Sequence, residues 1–224
     1  GSDFLQVALY LLVLLALVKP LGAYLAGVYE GRYQWAAEGW IYKPAGVRAN
    51  ETMPWTRYSQ AFLVFNALGF AAVYAVLRLQ HLLPGNPQGL GPLPPHTAFN
   101  IAVSFVTNTN WQNYGGESAL SYFTQMSALT VQNFVSAASG MAVLAALARG
   151  LRQRETGQIG NFWADLVRGT LYVLLPLSML WAVLLVSQGV VQNLGPYVPV
   201  ENSRQVLPMR SEEHTSELQS RQYL

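Results

Sequence analysis

No cysteine occurs among the 224 residues. That absence excludes disulfides, thiolate metal sites and cysteine nucleophiles. Charge is scarce too: 11% of residues are Asp, Glu, Lys or Arg, against about 25% in an ordinary soluble domain. The net charge of +2 is too small to point to nucleic acid. No Ser/His/Asp set, paired carboxylate or phosphate-cradling glycine loop is present, so no catalytic residues and no ATP site are expected in this chain. His81 and His96 lack a carboxylate partner and make a poor metal site. No Lys or Arg lies between Arg78 and Arg149.

What the chain does have is apolar length. It is 52% hydrophobic, with six Trp and twelve Tyr. Four runs approach the roughly 20 residues that cross a bilayer: one from Phe4, then 59–83, 121–148 and 166–189. A multi-pass protein in a lipid bilayer is expected; buried helices of a large soluble protein are the alternative. The first run is not a signal peptide, because Asp3 rather than a basic segment precedes it. Lys19 and Pro20 are expected to interrupt it near its inner end. Arg32, Lys43, Arg48 and Arg57 follow the first run, and Arg149, Arg152, Arg154 and Arg168 follow the third. The positive-inside rule puts both connections in the cytoplasm and the N-terminus and 81–122 outside. Arg78, near the outer end of the second run, fits this less well.

The outer connection is unusual. LPGNPQGLGPLPP, residues 83–95, reads as irregular chain. HTAFNIAVSFV, 96–106, is apolar but too short to span, which suits a re-entrant segment. Then comes SFVTNTNWQNYGGES, 104–118, whose one charge is Glu117. A short helix entering from outside points its partly negative C-terminal end at the membrane interior. The carbonyls beyond it can replace a cation's hydration shell. No carboxylate lies in TNTNWQN, which suits a monovalent ion better than a hard divalent one. An ordinary polar outer loop, with Trp111 at the interface, is the competing reading. On the third run, Gln132, Ser136 and Ser139 share a face, with Asn133 beside them. That stripe faces a pore or packs closely against another helix.

VSFVTNTNWQNYGGES followed by LSYFTQMSALTVQNFVSAASG resembles the potassium-transporting ATPase A subunits, the KdpA family. LVKPLG, QHLLPGNPQGL, GNFWADLVR and QVLPM extend the resemblance over most of the chain. It implies an all-α integral membrane fold of channel-like helix–pore helix–filter–helix repeats, four in the family, preceded by one extra transmembrane helix. The expected organisation is an extra helix in 1–30, a cytoplasmic loop in 31–58 and the first repeat in 59–149. A second cytoplasmic loop, the start of a second repeat and an outer loop would fill 150–209. The resemblance implies potassium binding by backbone at Thr107, Asn108, Thr109 and Asn110, with Gln112 near the ion path. It also implies a bacterial cytoplasmic (inner) membrane. The implied partners are a P-type ATPase catalytic subunit, where ATP is hydrolysed, and small accessory subunits of the Kdp complex. A stand-alone Trk/Ktr-type channel or symporter and a non-transporting membrane scaffold are the alternatives. The NTNWQ signature and the extra helix speak against the Trk/Ktr reading.

RSEEHTSELQS, 210–220, matches the translation of a sequencing adapter. Residues 210–224 are therefore expected to be non-native. The chain would then be an N-terminal piece of the subunit that is inactive alone.

Overall fold

The computed structural model describes residues 2–152 and 157–190. The tail at 210–224, QVLPM, Arg154 and the side chain of Glu117 lie outside the described residues.

Helices account for every regular element among the described residues. In chain order these are α1 (Ser2–Tyr29), α2 (Ala36–Ala45), α3 (Trp55–Leu79) with a 3-10 turn at Gln80–Leu82, and α4 (Pro95–Val106). Next come α5 (Gly116–Ala119), a π-helical stretch at Thr124–Thr130 that runs into α6 (Val131–Arg152), and α7 (Phe162–Arg168). A second π-helical stretch at Gly169–Leu174 leads into α8 (Leu175–Ser187). Four continuous stretches are long and apolar enough to cross a membrane: Phe4–Tyr29, Trp55–Leu82, Thr124–Arg152 and Phe162–Ser187. Large apolar side chains such as Leu12, Leu63, Leu144 and Val183 face outward along them. Such surface suits lipid rather than water. This is an all-α membrane protein.

Two sequence expectations need correction. α1 is not interrupted at Lys19 and Pro20; it continues to Tyr29 with Pro20 inside it. Proline removes one backbone donor, which membrane helices tolerate because neighbouring groups, water or a local adjustment can satisfy the freed carbonyl. The segment 31–58 is not wholly loop, because α2 lies within it. Glu38 and Tyr42 of α2 are buried. Burial first, and the Glu38 carboxylate second, push the Tyr42 phenol well above its usual range.

The chain forms two compact units, one from Gly1–Tyr58 and Met141–Pro176, the other from Ser59–Gly140 and Leu177 onward. In the first, Val28, Tyr172 and Val173 form a small apolar cluster. Arg149 forks onto Asp165, with Nη1 donating to Oδ2 at 2.6 Å and Nη2 to Oδ1 at 2.8 Å. Tyr58 donates its hydroxyl to the same carboxylate at 3.0 Å. Asn161 caps α7: its Oδ1 accepts from the amides of Trp163 and Ala164. Gly160 before it has φ +108, and the Arg149 guanidinium lies where its Cβ would be.

In the second unit, Val73 and Leu77 of α3 pack with Ala98, Ile101, Ala102 and Phe105 of α4, and with Leu120, Ala128 and Leu129. Phe70 meets Phe99 edge-on, with centroids 5.3 Å apart. Arg78 donates to the Leu93 carbonyl just ahead of α4. Its position near an arginine-free stretch thus has a structural reason: the guanidinium satisfies a backbone oxygen.

Candidate ion-coordinating site

α4 begins with Pro95, which needs no amide partner in a first helical turn. Its 12 residues rise about 18 Å, roughly half a bilayer. Ala98, Ile101, Ala102 and Phe105 recur at helical spacing and are buried, so one face of the helix is fixed against the unit's core. The helix ends at Thr107, and the chain then turns through Asn108 and Asn110, both at φ 56°. Asparagine tolerates this left-handed region better than most residues. These are the two non-glycine residues with positive φ among the described residues.

Ser104 organises the turn. Its carbonyl accepts the amide of Thr109 at 2.9 Å and that of Asn110 at 3.2 Å, while Asn108 donates its amide to Phe105. No cis peptide bond is present among the described residues. In a trans peptide the carbonyl points opposite the following amide. The carbonyls of Thr107, Asn108 and Thr109 therefore turn away from the end of α4, while the amides turn back onto it. Three successive carbonyls thus point away from α4, beyond its partly negative end. Thr107 Oγ1 donates to the Val103 carbonyl at 2.9 Å and lies 2.9 Å from Thr109 Oγ1. The Ser104 hydroxyl donates to the Trp111 carbonyl at 3.0 Å, closing the far side of the turn. Thr107, Asn108 and Thr109 are exposed and Asn110 is half-buried. No acidic side chain takes part in these contacts, and no His/Asp/Glu group able to hold a metal is found among the described residues.

A sequence profile described as "Potassium-transporting ATPase A subunit" matches residues 8–215. The chain belongs to that family. Curated relatives named potassium-transporting ATPase potassium-binding subunit agree. The one from Methylococcus capsulatus is 59% identical over 202 residues, covering 88% of this chain and 34% of its own length. That from Sorangium cellulosum is 56% identical over 201 residues, covering 87% and 35%. That from Bordetella pertussis is 56% identical over 208 residues, covering 90% and 35%. The chain therefore spans about a third of the length of the curated relatives it matches. The profile match ends within the segment 210–224.

In this A-subunit chain the remaining expected site residues separate into two groups. Asn133 reaches the turn: its Oδ1 accepts from Asn110 Nδ2 at 3.0 Å. Gln112 is half-buried, two residues past Asn110. Gln132 and Ser136 lie in a tight interior. Gln132 is 5% exposed, and its Oε1 sits 2.7 Å from where a Cβ on Gly69 would be. Ser136 turns its hydroxyl onto the Asn133 carbonyl at 3.1 Å. Sequence reasoning did not single out Ser104 as the acceptor of both turn amides. Nor did it find Gln80, which is fully buried and ties the segments on either side of α4 together. The one available signal for Gln80 was a neutral polar residue closing an apolar run just before a Pro- and Gly-rich loop.

Proposed function

We propose that the turn at Thr107, Asn108, Thr109 and Asn110 binds dehydrated potassium through its backbone oxygens, as one of four segments of a selectivity filter. The observation that carries this reading is the pair of amides from Thr109 and Asn110 on the Ser104 carbonyl. They leave the preceding carbonyls turned outward together, beyond the C-terminal end of α4. Neutral oxygens arranged this way replace a monovalent ion's hydration shell without holding it too tightly to release. Gln112 lies near the ion path.

In this reading the whole subunit is the channel-like part of an ATP-driven potassium importer in a bacterial cytoplasmic membrane. α1 is the extra helix, and α3, α4, the turn and α6 form the first repeat. α7 and α8 open the second. The N-terminus and the 3-10 turn at Gln80–Leu82 face outside, in keeping with the arginines that follow α1 and α6. A separate P-type ATPase subunit hydrolyses ATP, and small accessory subunits complete the complex. One filter segment lacks the other walls that enclose irregular backbone at membrane depth, so these 224 residues alone do not conduct.

The test replaces residues 107–110 with alanine in the full-length subunit and measures potassium uptake by cells lacking other potassium importers. Uptake at low potassium should fail and recover in part at high potassium. Gln112→Arg, which places a cation beside the path, should raise the potassium concentration needed for half-maximal uptake. Unchanged potassium dependence in both variants would reject the reading.

A further inference from the structure

Resting on that filter reading, we propose that Asn133 is a positioning residue for the ion-binding turn. From α6 it holds Asn110 by the side chain and so sets the plane of the peptide that carries the Thr109 oxygen.

The need for such a brace follows from the backbone bonds. Rotation about φ of Asn110 turns the peptide joining it to Thr109, and with it the Thr109 carbonyl. The amide of that peptide is held by an acceptor it shares. Ser104 takes the Thr109 amide at 2.9 Å and the Asn110 amide at 3.2 Å, which is at the long end for an N–H···O bond. Asn110 also sits at φ 56°, a region that a non-glycine residue keeps only when its surroundings impose it.

The side chain supplies that constraint. Asn110 Nδ2 donates to Asn108 Oδ1 at 3.2 Å and to Asn133 Oδ1 at 3.0 Å. The bond to Asn108 is local to the turn and moves with it; the bond to Asn133 ties the turn to a long helix. Asn110 Oδ1 is buried with no hydrogen-bond partner among the described residues. Both contacts use the Nδ2 group, which leaves Oδ1 as the unpaired atom of this side chain. Asn133 contributes only its oxygen to this contact.

The helix is shaped to deliver that oxygen. The π-helical stretch Thr124–Thr130 ends three residues before Asn133, and Thr130 Oγ1 donates to the Gln125 carbonyl five residues back at 2.9 Å. Each added residue turns the following helix by about 100°. The π stretch therefore sets which side of α6 Asn133 occupies. Beside it, Gln132 is pinned against Gly69.

The experiment uses the full-length subunit assembled with its ATPase and follows ATP hydrolysis against potassium and sodium concentration. Leucine and aspartate both keep the four heavy atoms and the branching of the asparagine side chain, and only Asp keeps an acceptor oxygen. Asn133→Leu should raise the potassium concentration for half-maximal activity about tenfold, equivalent to one hydrogen bond. Its maximal rate should stay within about twofold, and potassium-over-sodium discrimination should narrow. Asn133→Asp should stay within about threefold of the unmodified complex in potassium dependence. Asn110→Ala should raise the half-maximal potassium concentration at least as much as Asn133→Leu, and adding Asn133→Leu to it should raise it no further. Where the Leu variant fails to assemble, Asn133→Ala, which adds no volume, carries the same comparison against Asn133→Asp. Equal effects of Leu and Asp, or an additive double variant, would overturn the brace. If alanine at 107–110 shifts potassium affinity while Asn133→Leu does not, the brace alone falls. If neither shifts it, the filter reading falls with it.

Discussion

Gln80 accepts the backbone amide of Ser121 on its Oε1 at 3.1 Å, across 41 positions of sequence. The same oxygen accepts from Thr124 Oγ1 at 3.2 Å, while Nε2 donates to the carbonyls of Gly91 and Ala119 at 2.6 and 2.9 Å. One fully buried side chain thus joins the end of α3, the Pro- and Gly-rich loop and the chain entering the π-helical stretch. Those are the segments that carry α4 and the turn between them.

Gln80→Leu keeps most of the volume and removes every one of these bonds. It leaves the buried Ser121 amide and the half-buried Ala119 carbonyl to find new partners, while the Gly91 carbonyl belongs to an exposed residue and Thr124 Oγ1 keeps the Ser121 hydroxyl at 2.9 Å. Unpaired buried groups cost about 1–3 kcal/mol each, with partial relief by relaxation. The expected loss is about 2–4 kcal/mol for the folded second unit. It is read as a lower midpoint in detergent unfolding followed by tryptophan fluorescence. A midpoint equal to that of the unmodified chain would mean that Gln80 is not the tie.

The Arg149 and Asp165 pair makes a contrasting claim in the first unit. Asp165 is 1% exposed, and its carboxylate meets both Arg149 nitrogens and the Tyr58 hydroxyl. Arg149→Met strands a buried carboxylate and should lower stability by about 3–5 kcal/mol. Asp165→Leu with Arg149→Met removes both charges and should recover a large part of that loss, because the desolvation cost goes with them. The comparison is made by the same unfolding titration. Two single variants that simply add in the double would exclude a coupled pair.

Much of this molecule is readable from its residues, and the boundary of what is readable has a physical cause. α4 announces itself because an apolar stretch of helical period begins after prolines and is too short to span. The polar turn is visible because asparagine, threonine and glycine gather where membrane helices should not contain them. The stripe of Gln132, Ser136 and Ser139 is visible as a face, but which residue it meets depends on the approach of α3 at Gly69. α2 was hidden for a different reason: Gly39 and Pro44 lower its helix propensity, and burial of Glu38 and Tyr42 offsets that. The link between Asn110 and Asn133 depends on helical phase after a π-helical stretch, which residue periodicity does not encode.

Gly69 tests that last dependence from a distance. A Cβ there would stand 2.7 Å from Gln132 Oε1, 3.1 Å from its Nε2 and 3.2 Å from its Cδ. Real side chains do not approach so closely, so α3 must shift or Gln132 must leave its position. Gln132 is 5% exposed, and its Nε2 is buried without a hydrogen-bond partner among the described residues, so little space is open to it. Gly69→Ala should therefore destabilise the second unit by about 1–3 kcal/mol, the usual cost of overpacking. Since Gln132 adjoins Asn133, the same variant in the full-length complex should also weaken potassium dependence, although Gly69 is remote in sequence from the turn. Gln132→Ala made together with Gly69→Ala removes the clash and should restore stability to within about 1 kcal/mol of Gln132→Ala alone. Unfolding midpoints of the three variants decide it: a double variant as unstable as the sum of the singles would show that the close approach of α3 to Gln132 is not what glycine permits here.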